Sequence, residues 1–204
     1  MHTRRRFWVA VLEVAALALL LGGSGQARAE FIITFAQDGA NVVATGTGTI
    51  DTVALANIGG ESHFPNVTPN LGRVSLGPAG TTRDWIHLSG SVTIGSGPET
   101  IADSATGDIV GIRGNDFTDF LFLPTVYVSG APLADSATWD NTTISGLGLT
   151  PGTYEWTWGS GATADDFKVV IPSATVVPEP ASLTLLATGA LGLLGYGWRK
   201  RKGR

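Results

Sequence analysis

Aromatic and polar residues alternate strictly from Thr153 to Trp158. The three aromatic side chains of this segment therefore share one face, and the Thr and Glu side chains share the other, as in a half-buried strand. A Gly-Ser-Gly sequence follows, and the segment from Phe167 to Ile171 then repeats the alternation. The two segments are predicted to pair as an antiparallel hairpin with a long loop, with the Trp side chains in the core.

The rest of the chain between its two terminal segments lacks an apolar period near that of a helix. Short β-branched or aromatic segments are separated instead by Gly, Pro, Asn and Asp, a pattern typical of strands. The further predicted strands are Phe31–Phe35, Asn41–Ile50, Trp85–Leu88, Ser91–Ile94, Asp108–Ile112, Phe120–Leu123 and Val126–Ser129. The sequence predicts a single all-β domain, a β-sandwich or jelly roll. A Pro-Gly turn before Tyr154 resembles the tyrosine corner of Greek-key sandwiches.

The N-terminus has the three parts of a secretory signal peptide. Arg4–Arg6 form a positive region, Phe7–Leu21 is apolar, and Ala27-Arg28-Ala29 has the small residues of a cleavage site. We therefore expect residues 1–29 to be a signal helix, handled by the Sec machinery and removed by signal peptidase. The mature chain is predicted to begin at Glu30.

The segment from Glu30 to Pro180 contains four basic and 16 acidic residues, so its net charge is −12. This acidity argues against nucleic acid as a partner, because phosphate binding needs clustered Lys and Arg. The chain has no Cys, which excludes disulfides, thiol catalysis and Cys-zinc sites. A β domain of this length, residues 30–173, can bury enough surface to fold without disulfides.

The C-terminus carries an apolar segment between a short motif and a basic tail. The segment Ala181–Trp198 has 18 residues, which as a helix measure about 27 Å and just span the hydrocarbon core of a bilayer. A transmembrane helix over 181–198 is therefore predicted, with a cytoplasmic C-terminus. The basic tail consists of Arg199, Lys200, Arg201, Lys202 and Arg204.

The order of Val-Pro-Glu-Pro (Val177–Pro180), apolar segment and basic tail resembles the PEP-CTERM sorting signal of exported Gram-negative proteins. The resemblance implies that residues 174–204 are a sorting segment recognised by exosortase, with Pro178, Glu179 and Pro180 near the cleavage point. It also implies transit through the inner membrane to the cell surface or medium, and an association with exopolysaccharide. Blocks at 107–112, 127–130, 137–139 and 149–167 resemble segments that recur among such proteins of unknown activity.

The sequence offers no positive case for catalysis. It contains no Gly-x-Ser-x-Gly elbow, P-loop or His-Glu-x-x-His motif, and no catalytic residue is predicted. His63 and His87 are too few and too far apart in sequence for a histidine-rich metal site, and we expect His87 to be an ordinary strand residue. No metal site and no cofactor are predicted.

Two acidic pairs remain open to more than one interpretation. One pair is Asp116 with Asp119, and the other is Asp165 with Asp166. We expect all four to be solvated turn residues. Calcium ligation is the main alternative, because calcium prefers oxygen ligands, although neither pair has EF-hand spacing. A glycosidase would also use two carboxylates, and a polysaccharide hydrolase is therefore a further alternative.

The leading hypothesis is a non-enzymatic structural or matrix protein. A carbohydrate-binding module is the alternative from a different class, since exposed aromatic rings stack on sugars. Trp85 and Trp139 are the predicted glycan contacts, and Trp139 is expected to be the more exposed of the two.

Overall fold

The computed structural model describes residues 29–90, 93–114 and 118–173. Within these residues the chain forms fifteen β-strands and two short 3₁₀ turns, at Pro69–Leu71 and Gly161–Thr163, and no α-helix. The strands are β1 (Glu30–Asp38), β2 (Asn41–Thr49), β3 (Ala56–Asn57), β4 (Ser62–His63), β5 (Asn66–Thr68), β6 (Arg73–Leu76), β7 (Gly80–Ile86), β8 (Ser89–Gly90), β9 (Thr100–Ile101), β10 (Ser104–Gly107), β11 (Val110–Arg113), β12 (Phe120–Pro124), β13 (Pro132–Trp139), β14 (Gly152–Trp158) and β15 (Asp165–Ile171). The predicted all-β class is confirmed.

Most of the two predicted terminal segments lies outside the described residues. The signal helix of residues 1–29 is described only at Ala29, and the transmembrane helix of residues 181–198 is not described. None of the described segments is a helix long and apolar enough to cross a membrane. Backbone contacts divide the chain after Pro172, and Ser173 is the only described residue of the second unit, Ser173–Arg204.

The strands form two sheets. The first has the order β10-β13-β2-β1-β15-β14-β8, and the second has the order β3-β7-β12-β11-β6-β5-β9, with β4 beside β7. β1 pairs in parallel with β15, while the other pairs between the described strands are antiparallel. The first and last described strands are therefore neighbours within one sheet.

Alternating side chains of both sheets meet in one core. In β1 the side chains of Phe31, Ile33 and Phe35 are fully buried, while those between them are more exposed. Val74 and Leu76 of the second sheet belong to the same continuous cluster of buried side chains. Because one cluster takes its members from both sheets, the sheets pack face to face as a sandwich.

The predicted hairpin at the end of the domain is confirmed. β14 and β15 are antiparallel, with Trp156 opposite Phe167 and Tyr154 opposite Val169. Trp156 and Trp158 are 0% and 4% exposed, so both belong to the core as expected. The Trp156 and Phe167 rings meet edge to face with their centroids 6.3 Å apart.

The tyrosine corner is also confirmed. The Tyr154 hydroxyl donates a hydrogen bond of 2.9 Å to the carbonyl oxygen of Thr150, four residues upstream. The Pro-Gly turn between these residues reverses the chain so that the phenol reaches back to it.

The predicted strand at Val126–Ser129 is wrong, because this segment is a turn. Tyr127 points inward, and its hydroxyl accepts a 2.9 Å hydrogen bond from the backbone N–H of Ile50. Val126 and Val128 on either side are 85% and 69% exposed. Local turn hydrogen bonds, such as that from the Tyr127 N–H to the Pro124 carbonyl oxygen, and this contact with a residue 77 positions away both stabilise the segment.

The predicted strand Trp85–Leu88 is only half correct. β7 ends at Ile86, and His87 is exposed with a positive φ of 78°, so it is not the strand residue that was expected. Ser91 and Val92 of the next predicted strand lie outside the described residues. The predicted strands at Phe31–Phe35, Asn41–Ile50 and Phe120–Leu123 are confirmed to within one or a few residues, and Asp108–Ile112 corresponds to β11.

Candidate functional site

One face of the second sheet carries a row of polar side chains. The row runs across five neighbouring strands. Asn66 of β5 lies opposite Ser75 of β6, and Ser75 lies opposite Gly111 of β11. Gly111 in turn lies opposite Phe122 of β12, and Phe122 lies opposite Asp84 of β7. The apolar residues between them in sequence point into the core, and the period of two places this row on the opposite face. We call this surface the polar face, and it comprises Asn66, Thr68, Arg73, Ser75, Thr82, Asp84, Arg113, Phe120 and Phe122.

A chain of hydrogen bonds covers one end of the polar face. The His63 ring lies over Phe122, with the ring centroids 3.9 Å apart. Its Nδ1 accepts a hydrogen bond of 3.1 Å from Nη2 of Arg73, because a guanidinium can only donate. Its Nε2 lies 3.4 Å from Oδ2 of Asp84, whose Oδ1 accepts a 2.8 Å hydrogen bond from the Thr82 hydroxyl.

These contacts fix the protonation state of His63. Burial lowers the pKa of His63, the Asp84 carboxylate opposes this shift, and the Arg73 charge adds to it. A neutral ring with hydrogen on Nε2 satisfies both neighbours, since Nδ1 must accept and Nε2 can then donate to Asp84. Both ring nitrogens are thereby engaged within the fold.

Two arginines lie side by side in the next row of the polar face. Arg73 of β6 is directly opposite Arg113 of β11. The Arg113 guanidinium lies 4.6 Å from the centroid of the Phe120 ring, and that of Arg73 lies 5.6 Å from the centroid of Phe122. Burial lowers the pKa of Arg73, which Glu99 opposes and the neighbouring Arg113 charge reinforces. In the described part of the chain neither guanidinium forms a salt bridge with a carboxylate.

Among the residues that the structure describes, no hydrogen-bond partner is found for four buried polar atoms of the polar face: Nε of Arg73, Nε of Arg113, Oγ of Ser75 and Oδ1 of Asn66. The Asn66 amide nitrogen donates to the Glu99 carboxylate, which leaves only its oxygen without a partner. Asn66 and Ser75 are both 0% exposed. Each unpartnered buried polar atom costs about 1–3 kcal/mol, so a group of four makes the polar face a candidate binding site.

The sequence predicted that Asp165 and Asp166 are solvated turn residues, and this prediction is wrong. Both residues belong to β15 and are 0% and 4% exposed. The Asp165 carboxylate accepts hydrogen bonds from the backbone N–H groups of Asp51, at 2.6 Å, and of Asp166, at 2.7 Å. Asp166 also lies 3.1 Å from Nζ of Lys168. The pair therefore holds segments of the fold together.

Of the other acidic pair, Asp116 and Asp119, the structure describes only Asp119. Asp116 lies outside the described residues, and Asp119 is 7% exposed, which corrects the expectation that it is solvated. Across the ranges 29–90, 93–114 and 118–173 there is no group of three or more His, Asp or Glu side chains placed to hold a metal ion.

A further buried acid, Asp135, lies on the core side of β13. It is 7% exposed and lies opposite Gly46 of β2. Burial, helped by the nearby charge of Asp108, raises the pKa of Asp135 to about 8, although a backbone hydrogen bond with Gly46 opposes the shift. This raised pKa favours the protonated form of Asp135 in the core at neutral pH.

The structure separates the two predicted glycan contacts and buries one of them. Trp139 is 1% exposed, stacks on Phe35 with the ring centroids 5.9 Å apart, and donates its indole N–H to the Thr100 carbonyl oxygen. The expectation that Trp139 is surface-exposed is wrong, because its position in β13 faces the core. Trp85 is half-buried and packs against the core, and within the described part of the chain its indole nitrogen has no hydrogen-bond partner.

Sequence reasoning missed the polar face altogether. His63 looked isolated because its partners Arg73 and Asp84 come from other strands, 10 and 21 residues away. One signal was available: Arg73 and Arg113 are two of the four basic residues between Glu30 and Pro180.

Comparison with known protein families finds a match at the C-terminus of the chain. Residues 176–202 match the family model described as the PEP-CTERM protein-sorting motif, and the matched range contains Pro178, Glu179 and Pro180. No curated protein and no solved structure matches the chain. The fold and this match define an all-β domain followed by a C-terminal sorting segment. The chain carries a PEP-CTERM protein-sorting motif at its C-terminus, and this motif implies export, sorting in transit through a membrane, and exosortase as the processing partner.

Proposed function

We propose that this protein is a non-enzymatic structural component of the cell surface or extracellular matrix of a Gram-negative bacterium, associated with exopolysaccharide or biofilm. The observation that carries the proposal is the PEP-CTERM motif at residues 176–202, which follows a β-sandwich whose last described strand ends at Ile171. A domain placed directly before a sorting motif is the part of the chain that is delivered.

The ionisable groups of the domain support a structural role. Lys168 interacts with the carboxylates of Glu30, Asp166 and Glu155, on its own strand and the two strands beside it. His63 has both ring nitrogens engaged, as described above, and a histidine in this state is not free to act as a general base. These groups stabilise the sandwich and offer no activated nucleophile.

The proposed export route is inferred from the two terminal segments. The Sec machinery would export the chain, and signal peptidase would release Glu30 as the first residue. The apolar segment 181–198 would hold the chain in the inner membrane while exosortase acts near Pro178–Pro180. Loss of both terminal segments leaves the acidic domain, with its net charge of −12, at the surface or in the medium.

The test compares three chains in a host that has exosortase: wild type, a deletion of residues 177–204, and a triple Ala substitution of Pro178, Glu179 and Pro180. The triple variant is the matched control, because it keeps the apolar segment and the basic tail. Intact mass and location are measured for protein from the envelope and from the medium. We expect wild type to be shortened near Pro180 and the triple variant to stay full length after signal removal.

An unchanged mass and location in both variants would falsify the sorting role. A wild-type mass that ends at Arg204 would show instead that the C-terminus is a plain membrane anchor. Turnover of the organism's own polysaccharide by the purified wild-type chain would contradict the non-enzymatic part of the proposal.

A further inference from the structure

Residues 58–64 lie along β7 at the edge of the second sheet, and we call them the strap. The Ile58 N–H donates to the Asp84 carbonyl oxygen at 3.0 Å, and the Asp84 N–H donates to that of Gly59 at 2.8 Å. The Thr82 N–H donates to the Glu61 carbonyl oxygen at 2.9 Å. Because an edge segment has few neighbours, it can open at a lower free energy than the core.

His63 is the only residue of the strap that is buried. It is 8% exposed, whereas Ile58 and Phe64 are 53% and 37% exposed and the four residues 59–62 are exposed as well. The Phe64 ring lies 5.9 Å from the Arg73 guanidinium, but such a contact is weak at an exposed site. Apart from its backbone hydrogen bonds, the strap is therefore held to the domain mainly by one imidazole ring.

Protonation of His63 changes its contact with Arg73. The neutral ring accepts the 3.1 Å hydrogen bond from Nη2 of Arg73 at its Nδ1. The protonated ring carries hydrogen on both nitrogens, and a guanidinium has no acceptor. Two donors and two positive charges would then face each other at Nδ1, so this hydrogen bond is lost when the ring is charged.

Charged groups from three neighbouring segments act on the His63 ring. Asp84 of β7 lies 3.4 Å from Nε2 and favours the charged form, as does, more weakly, Glu61 of the strap itself. Arg73 of β6 opposes the charged form, and β12 contributes the uncharged Phe122 ring. Burial is the largest effect, and on balance the pKa of His63 is lowered while the strap is closed. Because an open strap returns the ring to water, binding of a proton favours the open state.

We propose that the strap is a pH-sensitive latch, which is closed over one end of the polar face while His63 is neutral and opens when His63 is protonated. The rest of the sandwich stays folded, and opening uncovers the Phe122 ring and the Asp84 carboxylate. Gly59 is the hinge, because its φ is +116° and a Cβ atom there would meet nothing within 4 Å. The inference concerns only the β domain and does not depend on the sorting role.

The test is residue-resolved hydrogen exchange of the full-length chain in detergent micelles, at about pH 7.5 and about pH 5.5. The Thr82 and Asp84 amides report on the strap, because their acceptors are the carbonyl oxygens of Glu61 and Gly59. Rates are divided by the intrinsic exchange rate at each pH, which removes the direct effect of pH on the chemistry. Protection of the two amides should fall by about threefold to tenfold, since one proton changes the ratio of open to closed states by at most about tenfold per pH unit. Protection in the hairpin of β14 and β15 should not fall.

Variants identify the titrating group. His63→Gln removes the titration and keeps an amide oxygen that can accept from Arg73, so protection of Thr82 and Asp84 should agree at the two pH values within about twofold. His87→Gln is the matched control, because His87 is exposed just beyond β7 and the variant should keep the pH dependence of wild type. Arg73→Gln removes the charge that faces Nδ1 and should make the pH dependence smaller. Thermal unfolding of each variant checks that the fold is intact.

Several results would overturn the proposal. Equal protection of Thr82 and Asp84 at the two pH values in wild type would exclude the latch. An equal fall in the hairpin of β14 and β15 would show loss of the whole sandwich and not local opening. The wild-type measurements decide both points even if a variant does not fold. The same pH dependence in wild type and His63→Gln, or its loss in His87→Gln, would assign the proton to another group.

Discussion

Asp135 lies directly across from Gly46 in the pairing of β13 with β2, and its carboxylate occupies the space that a side chain at position 46 would need. A Cβ atom built on Gly46 would overlap Oδ1 of Asp135 and crowd the Phe31 ring. The buried acid and the glycine are therefore complementary in shape, and each limits what the other position can hold.

Gly46→Ala should destabilise the domain by about 1–3 kcal/mol, because the added methyl group forces Asp135 or Phe31 out of place. Urea unfolding of the purified chain measures the effect. Gly80→Ala is the control, since a Cβ there would meet its nearest atom at 3.8 Å and the φ of Gly80 is not positive. Equal effects of the two substitutions would contradict the overlap.

The pH dependence of stability tests the protonated state of Asp135. Because the pKa of Asp135 is raised from 3.8 to about 8 in the folded state, the folded chain retains a proton that the unfolded chain has released. Stability should therefore fall as pH rises from about 4 to about 8, by at most about 1.4 kcal/mol per pH unit. Above that range the contribution is constant.

Asp135→Asn removes this titration, and the loss of stability between about pH 5 and pH 8 should become smaller in the variant. Asp38→Asn is the matched control, because Asp38 is exposed at the end of β1. Urea unfolding at several pH values measures the difference. The same slope in wild type and Asp135→Asn would refute a protonated Asp135.

His63 should act in the opposite direction. Its pKa is lowered in the folded state from the ordinary 6.5, so the unfolded chain gains a proton first as the pH falls. This contribution to stability is complete above about pH 6.5 and is lost as the pH drops below that value. His63→Gln should remove this part of the acid destabilisation, whereas His87→Gln should not, because His87 is exposed beyond β7. Identical acid slopes in the two variants would exclude His63 as the source.

Two tyrosine hydroxyls should differ in their contribution to stability. Tyr127→Phe should cost about 1–3 kcal/mol, because the buried N–H of Ile50 would lose its partner. Tyr154→Phe should cost only about 0.5–1 kcal/mol, since its bond to the Thr150 carbonyl is exposed and water can replace it. Faster hydrogen exchange at the Ile50 amide in Tyr127→Phe alone would confirm the assignment.

Structural features that depend on residues close together in the sequence were predictable from it. The hairpin of β14 and β15 depends on two alternating segments joined by a Gly-Ser-Gly turn, and the tyrosine corner spans four residues. Each needs information from one stretch of chain only, so periodicity and turn chemistry suffice to predict it.

Features that depend on distant contacts were not predictable. Trp139 lies on the core-facing side of β13, where Phe35, about a hundred residues earlier, stacks on it. Asp165 is buried because the Asp51 backbone, 114 residues away, donates to it. The polar face exists only through the register of β5, β6 and β11, and no local pattern specifies that register.

The parallel pairing of β1 with β15 has a consequence for folding during export. A chain that emerges N-terminus first presents β1 at the start, but the partner that completes this sheet is the last described strand. Until β15 has emerged, one edge of β1 is open and β14 has no neighbour on that side. The sandwich can therefore close only after nearly the whole domain has crossed the membrane, just before the PEP-CTERM motif follows it.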